Sequence, residues 1–318
     1  MLKNLYKRRA GDRYDGWRVR DIDPAMSIVP FIMRTRIDSQ CYFDATIDLE
    51  PMEKFIRAHK EDMPGLSIMN IVIAAMVRAV SQRPYVNRFV VYNKLYAHND
   101  IRICTMVRRS MGTRGNEIPI LPVFSPFDTL PDVMQRINQE IYNTRETDEK
   151  NASDKAAGLG KLPPWLFRLI VKIFYALDAI GLLPKGIHTA SPYHCSAFLT
   201  NMGSLGIGPV YHHLYEFGTL SFFSAMGKKE RIETIDVFGN HKVKRVMGFR
   251  CVIDERICDG HYWAVTIRYL IKLLAKPEVL MAPPARVVLD DGIRHKLWHD
   301  PNEGREAAGE TEAEDDEE

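Results

Sequence analysis

The sequence predicts an α+β protein, a mixed-sheet sandwich, and three observations carry that expectation. Strand-like and helix-like segments alternate along the first half, one apolar segment is dense enough for a buried helix, and a long hairpin lies late in the chain. Residues Phe43 to Leu49 alternate in the manner of a strand, and Pro51 to His59 then read as a short helix. Leu66 to Val80 has apolar positions close enough together for a largely buried helix. Ser67 stands where an N-cap belongs, and Pro84 stops the run.

Strands are expected at Phe89 to Tyr92, at Ile101 to Val107 and at Ile118 to Phe124. Pro131, at a first helical position, opens a polar helix towards Tyr142. The composition turns polar and glycine-bearing between about Asp148 and Leu162, which reads as a loop, and Trp165 to Leu183 is strongly apolar. Ala197 to Asn201 and Thr219 to Met226 are strand-like. Ile232 to Val237 and Lys242 to Ile253 then form a hairpin about Phe238-Gly239-Asn240. A last helix from His261 to Leu274 carries Tyr262, Val265, Tyr269, Leu270 and Leu273 on one face, and Pro277 ends it. No internal repeat is evident, and one domain is the simplest division.

A chain of 318 residues with 46% hydrophobic and 26% charged residues has the composition of an ordinary soluble globular protein. Its five cysteines include no C-x-x-C pair, which argues for reduced thiols and against a disulfide framework or a zinc ribbon. Residues 1–17 form a basic N-terminal segment with no apolar run behind it, so no secretory signal is read and a cytoplasmic protein is expected. Residues 291–318 form an acidic tail, expected to be disordered; seven of the nine positions from Glu310 to Glu318 are acidic. Without those seven charges the formal +2 becomes +9, a balance suited to coenzyme phosphates, an acidic carrier protein or anionic lipid. No basic-aromatic cluster or motif for nucleic acid is present.

Asp254-Glu255-Arg256-Ile257-Cys258-Asp259-Gly260 resembles the Asp-His-Arg-x-x-Asp-Gly signature of the dihydrolipoamide acyltransferases, and its second half resembles the signature of chloramphenicol acetyltransferase. The context agrees: a long strand enters the motif, a helix leaves it, and Lys276 to Leu280 resembles the closing segment of that family. Upstream, Thr200-Asn201-Met202-Gly203-Ser204-Leu205-Gly206 is similar to the family's Ser/Thr-Asn-x-Gly-x-x-Gly run. The resemblance covers roughly Arg18 to Met281. It implies a two-layer mixed-sheet sandwich over 18–290, of the chloramphenicol acetyltransferase type. It also implies acyl transfer between coenzyme A and a thiol or hydroxyl acceptor, and a homotrimer with each active site between two subunits. No lipoyl module surrounds the motifs, so a bound lipoyl group is not expected; a carrier or lipoyl domain supplied in trans would fit.

In that family a histidine deprotonates the nucleophile and a hydroxyl supports the oxyanion, a contribution of a few kcal/mol. The resemblance puts Thr200 at the hydroxyl, and Asn201, Gly203 and Gly206 beside the coenzyme. It puts Asp259 opposite an N-terminal arginine, Arg34 or Arg36, holding the loop of the base. Glu255 stands where the family has its histidine. A free carboxylate has a pKa about two units below that of histidine, a mismatch of roughly 3 kcal/mol for deprotonating a thiol. His261, His212 and His213 are candidates to replace the base, and a catalytically silent relative kept for assembly or coenzyme binding is the alternative reading. The stretch 165–183 contains Arg168, Lys172 and Asp178, which argue against a spanning helix. Core or subunit packing is expected there, with peripheral membrane contact or a lid over an apolar acyl site as the alternatives.

Overall fold

The computed structural model describes residues 8–108, 117–146, 162–235, 237–293 and Asn302. The chain begins with β1 (Gly16–Arg18) and α1 (Pro24–Ile32), which Asp23 starts by accepting from the amides of Ala25 and Met26. α1 escapes a periodicity reading because Pro30 lies inside it, where proline removes a helical donor. β2 (Gln40–Asp48), α2 (Glu50–Ala58) and α3 (Ile68–Gln82) follow close to where the sequence places them. Ser67 caps α3 as expected: its hydroxyl accepts from the Asn70 amide, and the Asn70 side chain accepts from the Ser67 amide.

β3 (Arg88–Val91) and β4 (Lys94–His98) are joined by Tyr92 and Asn93, both at positive φ, 50° and 58°. Two left-handed central residues give the turn that matches strand twist. A tyrosine there disguises the turn, which is why β4 is missing from the sequence reading. β5 (Ile101–Arg108), β6 (Glu117–Ile120), β7 (Val123–Phe124) and α4 (Leu130–Glu146) complete the first half. Then come α5 (Pro164–Ala179), α6 (Lys185–Ala190), β8 (Ala197–Asn201), β9 (Phe222–Ile235), β10 (His241–Asp254) and α7 (Gly260–Ala275). The loop expected at 148–162 and the acidic tail lie almost wholly outside the described residues.

Among the described residues the large sheet runs β2-β10-β9-β8-β5-β6, with β7 beside β5, and a small antiparallel sheet runs β1-β4-β3. β8 is parallel to both neighbours and the remaining pairs are antiparallel, so the large sheet is mixed and the α+β sandwich expectation holds. Side chains alternate between its faces. Leu199, Phe222, Phe249, Cys251 and Ile253 face the main core, where α2, α3 and α7 pack. Phe198, Phe223 and Val252 face the other way, into a smaller cluster with Leu214 and Leu220 of the loop that follows β8.

Two expectations change. The boundary at residue 17 falls inside β1, and residues 8–17 belong to the folded body: Arg8 donates to the Gly16 carbonyl at 2.9 Å, and Arg13 pairs with both Asp15 and Asp178. The apolar segment forms α5, yet Asp178 is the only buried residue of that helix. Trp165 is 69% exposed and Leu169 and Ile173 about half exposed, so α5 does not pack into the core of its own chain. Its one deep anchor is ionic, the Asp178 carboxylate 2.7 Å from the Arg13 guanidinium. No helix among the described residues is long and apolar enough to cross a membrane.

Candidate functional site

Strand register puts Thr200 opposite Ala225, Ala225 opposite Arg250, and Arg250 opposite Asp44, one row across the outer face of the sheet. The chain after β8 is laid over this row. Gly227 and Gly248 make room for it, because a Cβ on either would come within 2.4 Å or 2.8 Å of the Pro209 ring. Arg250 then fixes the segment from β10: its guanidinium donates to the Pro209 carbonyl at 2.9 Å and lies 4.9 Å from the centre of the Tyr211 ring.

His212 comes next in this clamped segment. Its ring stacks on Phe223 at 4.2 Å, and Phe223 stacks in turn on Phe198 at 4.6 Å. This places Nε2 3.2 Å from Oγ1 of Thr200. Burial, and then the charge of His213, hold the imidazole below its usual pKa, so the neutral ring dominates near pH 7. Thr200 is therefore a hydroxyl with a neutral imidazole in hydrogen-bonding reach. Among the three candidate histidines only His212 is brought to Thr200; His213 is exposed against Tyr215, and His261 lies exposed in the first turn of α7.

The run after Thr200 builds a turn. The Asn201 side chain accepts from the Ser204 amide and caps a 3-10 turn at Met202–Leu205. Gly203 passes so close to the Gly227 carbonyl that a Cβ would sit 2.5 Å from it, and Gly206 ends the turn at a φ of 76°. Each of the three has a backbone reason to be what it is, and together they fix the edge of the face beside Thr200.

Glu255 lies at the end of β10, where its amide donates to the Ser39 carbonyl. Its carboxylate accepts from the Cys41 thiol at 3.2 Å, and burial together with this carboxylate pushes the thiol up to about 11. Cys41 pairs with Ile253 and so faces the helix side of the sheet, away from Thr200. Beside it, Asp254 is fully buried and accepts from Ser39 at 2.9 Å and from the Arg256 guanidinium at 2.8 Å and 2.7 Å. The arginine pairing expected of Asp259 goes to Asp254 instead. The Arg36 guanidinium lies 3.9 Å from Asp254 and donates to the carbonyls of Tyr215, Glu216, Val90 and Gly218. Arg34 is exposed. Asp259 is exposed too and caps α7 by accepting from the Tyr262 amide at 2.7 Å.

A cavity of about 620 Å³ opens behind this turn, lined by Arg34, Arg36, Arg256, Tyr175, Asp178 and Glu216. α5 thus borders a mixed cavity, in which Phe31, Val90, Val91 and Ala179 line the wall beside the charged groups. Thr200 and Glu255 do not meet within one chain. Glu255 lies five positions beyond Arg250, the residue level with Thr200, and two strands away; that is about 16 Å along the strands and about 10 Å across them.

Among solved structures, a probable dihydrolipoamide acetyltransferase from Listeria monocytogenes is similar at a TM-score of 0.51, over 84% of this chain and 96% of that one, with 14% identity. The chain has that acyltransferase fold. A chloramphenicol acetyltransferase is similar at a TM-score of 0.49 and 12% identity, over 81% of this chain and 99% of that one. A truncated catalytic core of the 2-oxoacid dehydrogenase multienzyme complex from Thermoplasma acidophilum is similar at 0.48 and 14% identity, over 81% and 97%. No protein-family model and no curated protein matches the sequence. On the acyltransferase fold this chain thus carries two separated groups: Thr200 with His212 on the outer face, and Glu255 with Cys41 at the end of β10. Of their residues, His212 and Cys41 stand outside the motifs; only the nearness of His212 to the glycine run hinted at one of them.

Proposed function

We propose that this chain transfers an acyl group between coenzyme A and a thiol or hydroxyl acceptor. The observation that carries the reading is the Thr200 hydroxyl, 3.2 Å from a neutral imidazole, at the edge of a turn built by Asn201, Gly203 and Gly206. Acyl-coenzyme A enters as a substrate, and any lipoyl group or carrier comes from another chain. Two copies complete a site in this reading. The Thr200 group of one subunit faces the Glu255 turn of the next, which would resolve the separation of the two groups within one chain and favours a homotrimer. The exposed face of α5 is then covered by a neighbouring subunit.

The test is transfer from a labelled acyl-coenzyme A to a dithiol or an alcohol, with a coenzyme-induced thermal shift measured alongside. Wild type is expected to transfer, and Glu255→His, which restores the histidine of the resembled family, to transfer faster. Coenzyme binding with no transfer by either protein would replace this reading with the silent, assembly one, to which the substitution at Glu255 lends its only specific support.

A further inference from the structure

We infer that Thr200 is a nucleophile, activated by His212, and that transfer passes through an acyl-threonine on this chain. The inference rests on the acyl-transfer reading above and goes beyond it, because a hydroxyl that only supports an oxyanion must point its proton at the substrate. Here the proton has other destinations. With the imidazole proton on Nδ1, Nε2 is an acceptor 3.2 Å from Oγ1, and the Ser224 carbonyl is a second acceptor at 3.5 Å. In that tautomer the Thr200 proton has two acceptors within the protein, and the oxygen keeps a lone pair for a substrate carbon. A hydroxyl within reach of a base, whose base is itself oriented, is the arrangement that nucleophilic catalysis requires.

The orientation of His212 comes from every side of the loop. Phe223 of β9 supplies the stacking surface, Gly227 and Gly248 seat Pro209, and Arg250 of β10 holds the Pro209 carbonyl and the Tyr211 ring. The ionisable group acting on the ring is His213 in the loop; Arg250, over the Tyr211 ring, is paired with Asp44 at 3.2 Å. The ring stays neutral and able to take a proton. Glu255 is not available to this hydroxyl, being on the far side of the sheet with its carboxylate engaged by Cys41.

The steps balance. Oγ1 of Thr200 attacks the thioester carbonyl as its proton passes to Nε2 of His212. An oxygen–carbon bond forms, the carbon–sulfur bond breaks, and the imidazolium returns the proton to the coenzyme thiolate. The acceptor thiol or hydroxyl then gives its proton to His212 and attacks the acyl carbon; the bond from that carbon to Oγ1 breaks, and the imidazolium returns the proton to Oγ1 of Thr200. The first half lies within one chain, so it needs neither the acceptor nor a neighbouring Glu255.

Acetyl-coenzyme A and octanoyl-coenzyme A are each incubated with the full chain without acceptor. The reaction is then quenched in acid, and the acyl mass is located by peptide mass spectrometry. The expected result is one acyl group on Thr200 that survives neutral hydroxylamine, as an oxygen ester does and a thioester on Cys41 does not. Thr200→Ser keeps the adduct and Thr200→Val loses it. His212→Gln slows its formation by roughly 10²–10⁴-fold, the usual worth of a general base. Imidazole partly rescues His212→Ala, an effect that a purely structural role would not give. Transfer to an acceptor with no adduct on Thr200, or an adduct confined to Cys41 or a lysine, overturns the assignment and leaves the acyltransferase reading standing. No transfer at all, from any acyl-coenzyme A, removes that reading and this assignment with it.

Discussion

Gly227→Ala is the smallest change that should lift His212 away from Thr200. The new methyl would come within 2.4 Å of the Pro209 ring, so the clamped segment must rise from the sheet. Overpacking of this kind costs about 1–3 kcal/mol. The expected outcome is a lower melting temperature together with loss of acyl transfer, measured by thermal denaturation and by the transfer assay. An unchanged transfer rate would mean that the loop does not position the histidine. At this scale the sequence was legible at Ser67, which caps the helix it precedes, and at Pro84, which ends the same helix, because each partner lies within a few positions. Asp259 also caps the helix it precedes, but its motif pointed to a distant arginine instead. The Thr200–His212 pair was only half legible: the hydroxyl carries a motif, whereas the imidazole reaches it through a loop held by Arg250 and two distant glycines. Cys41 was illegible for the same reason: its partner, Glu255, comes from the far end of the chain and meets it only through strand register. Asp254 stands in the motif itself and pairs with Arg256 two positions on, but the arginine pairing was expected at Asp259 instead.

Strands β2, β8 and β10 and helices α3 and α7 were legible because each buries a face whose period shows in the sequence. α1 and β4 were not, since an internal proline and a turn tyrosine conceal them. α5 is the informative case: its apolarity was read correctly, and of the two packings expected, core or subunit, the core of its own chain is not the one it takes. A helix apolar on most of its surface needs cover, and among the described residues its own chain covers it only in part, with Phe217 against Tyr175 and Arg13 on Asp178. Replacing Trp165, Leu169 and Ile173 together by serine tests where that cover lies. These side chains are exposed in the single chain, so the change should alter its intrinsic stability by no more than about 0.5 kcal/mol each. If a neighbouring subunit covers α5, sedimentation should then move from the proposed trimer to monomer. If the variant remains trimeric but no longer co-sediments with vesicles containing phosphatidylserine, the face belongs to lipid instead.

The whole molecule carries an acid sensitivity buried under its small sheet. Burial pushes His98, against Phe89 and the Thr219 carbonyl, down to about 3, and holds His194 below its usual pKa beside Asp178. Unfolded, a histidine takes its proton near 6.5. Between that pH and about 3 the unfolded chain binds one proton more than the folded chain at His98, so stability is lost as the pH falls through this window. The slope is about 1.4 kcal/mol per pH unit for each such group. Urea denaturation at a series of pH values should show His98→Gln losing less stability between pH 6.5 and 4.5 than wild type does. Parallel curves would place the sensitivity elsewhere. The large sheet also has a consequence for how the chain is made. β2 leaves the ribosome early, yet the strand it pairs with, from Gln40 opposite Asp254 to Asp48 opposite Val246, is among the last to emerge. Until then β2 has both edges open, and among the described residues one stays open in the finished sheet; an open edge is a template for wrong pairing. Most of translation therefore passes with the first half unable to complete its sheet, and for that time the unpaired edges of β2 are open to other chains.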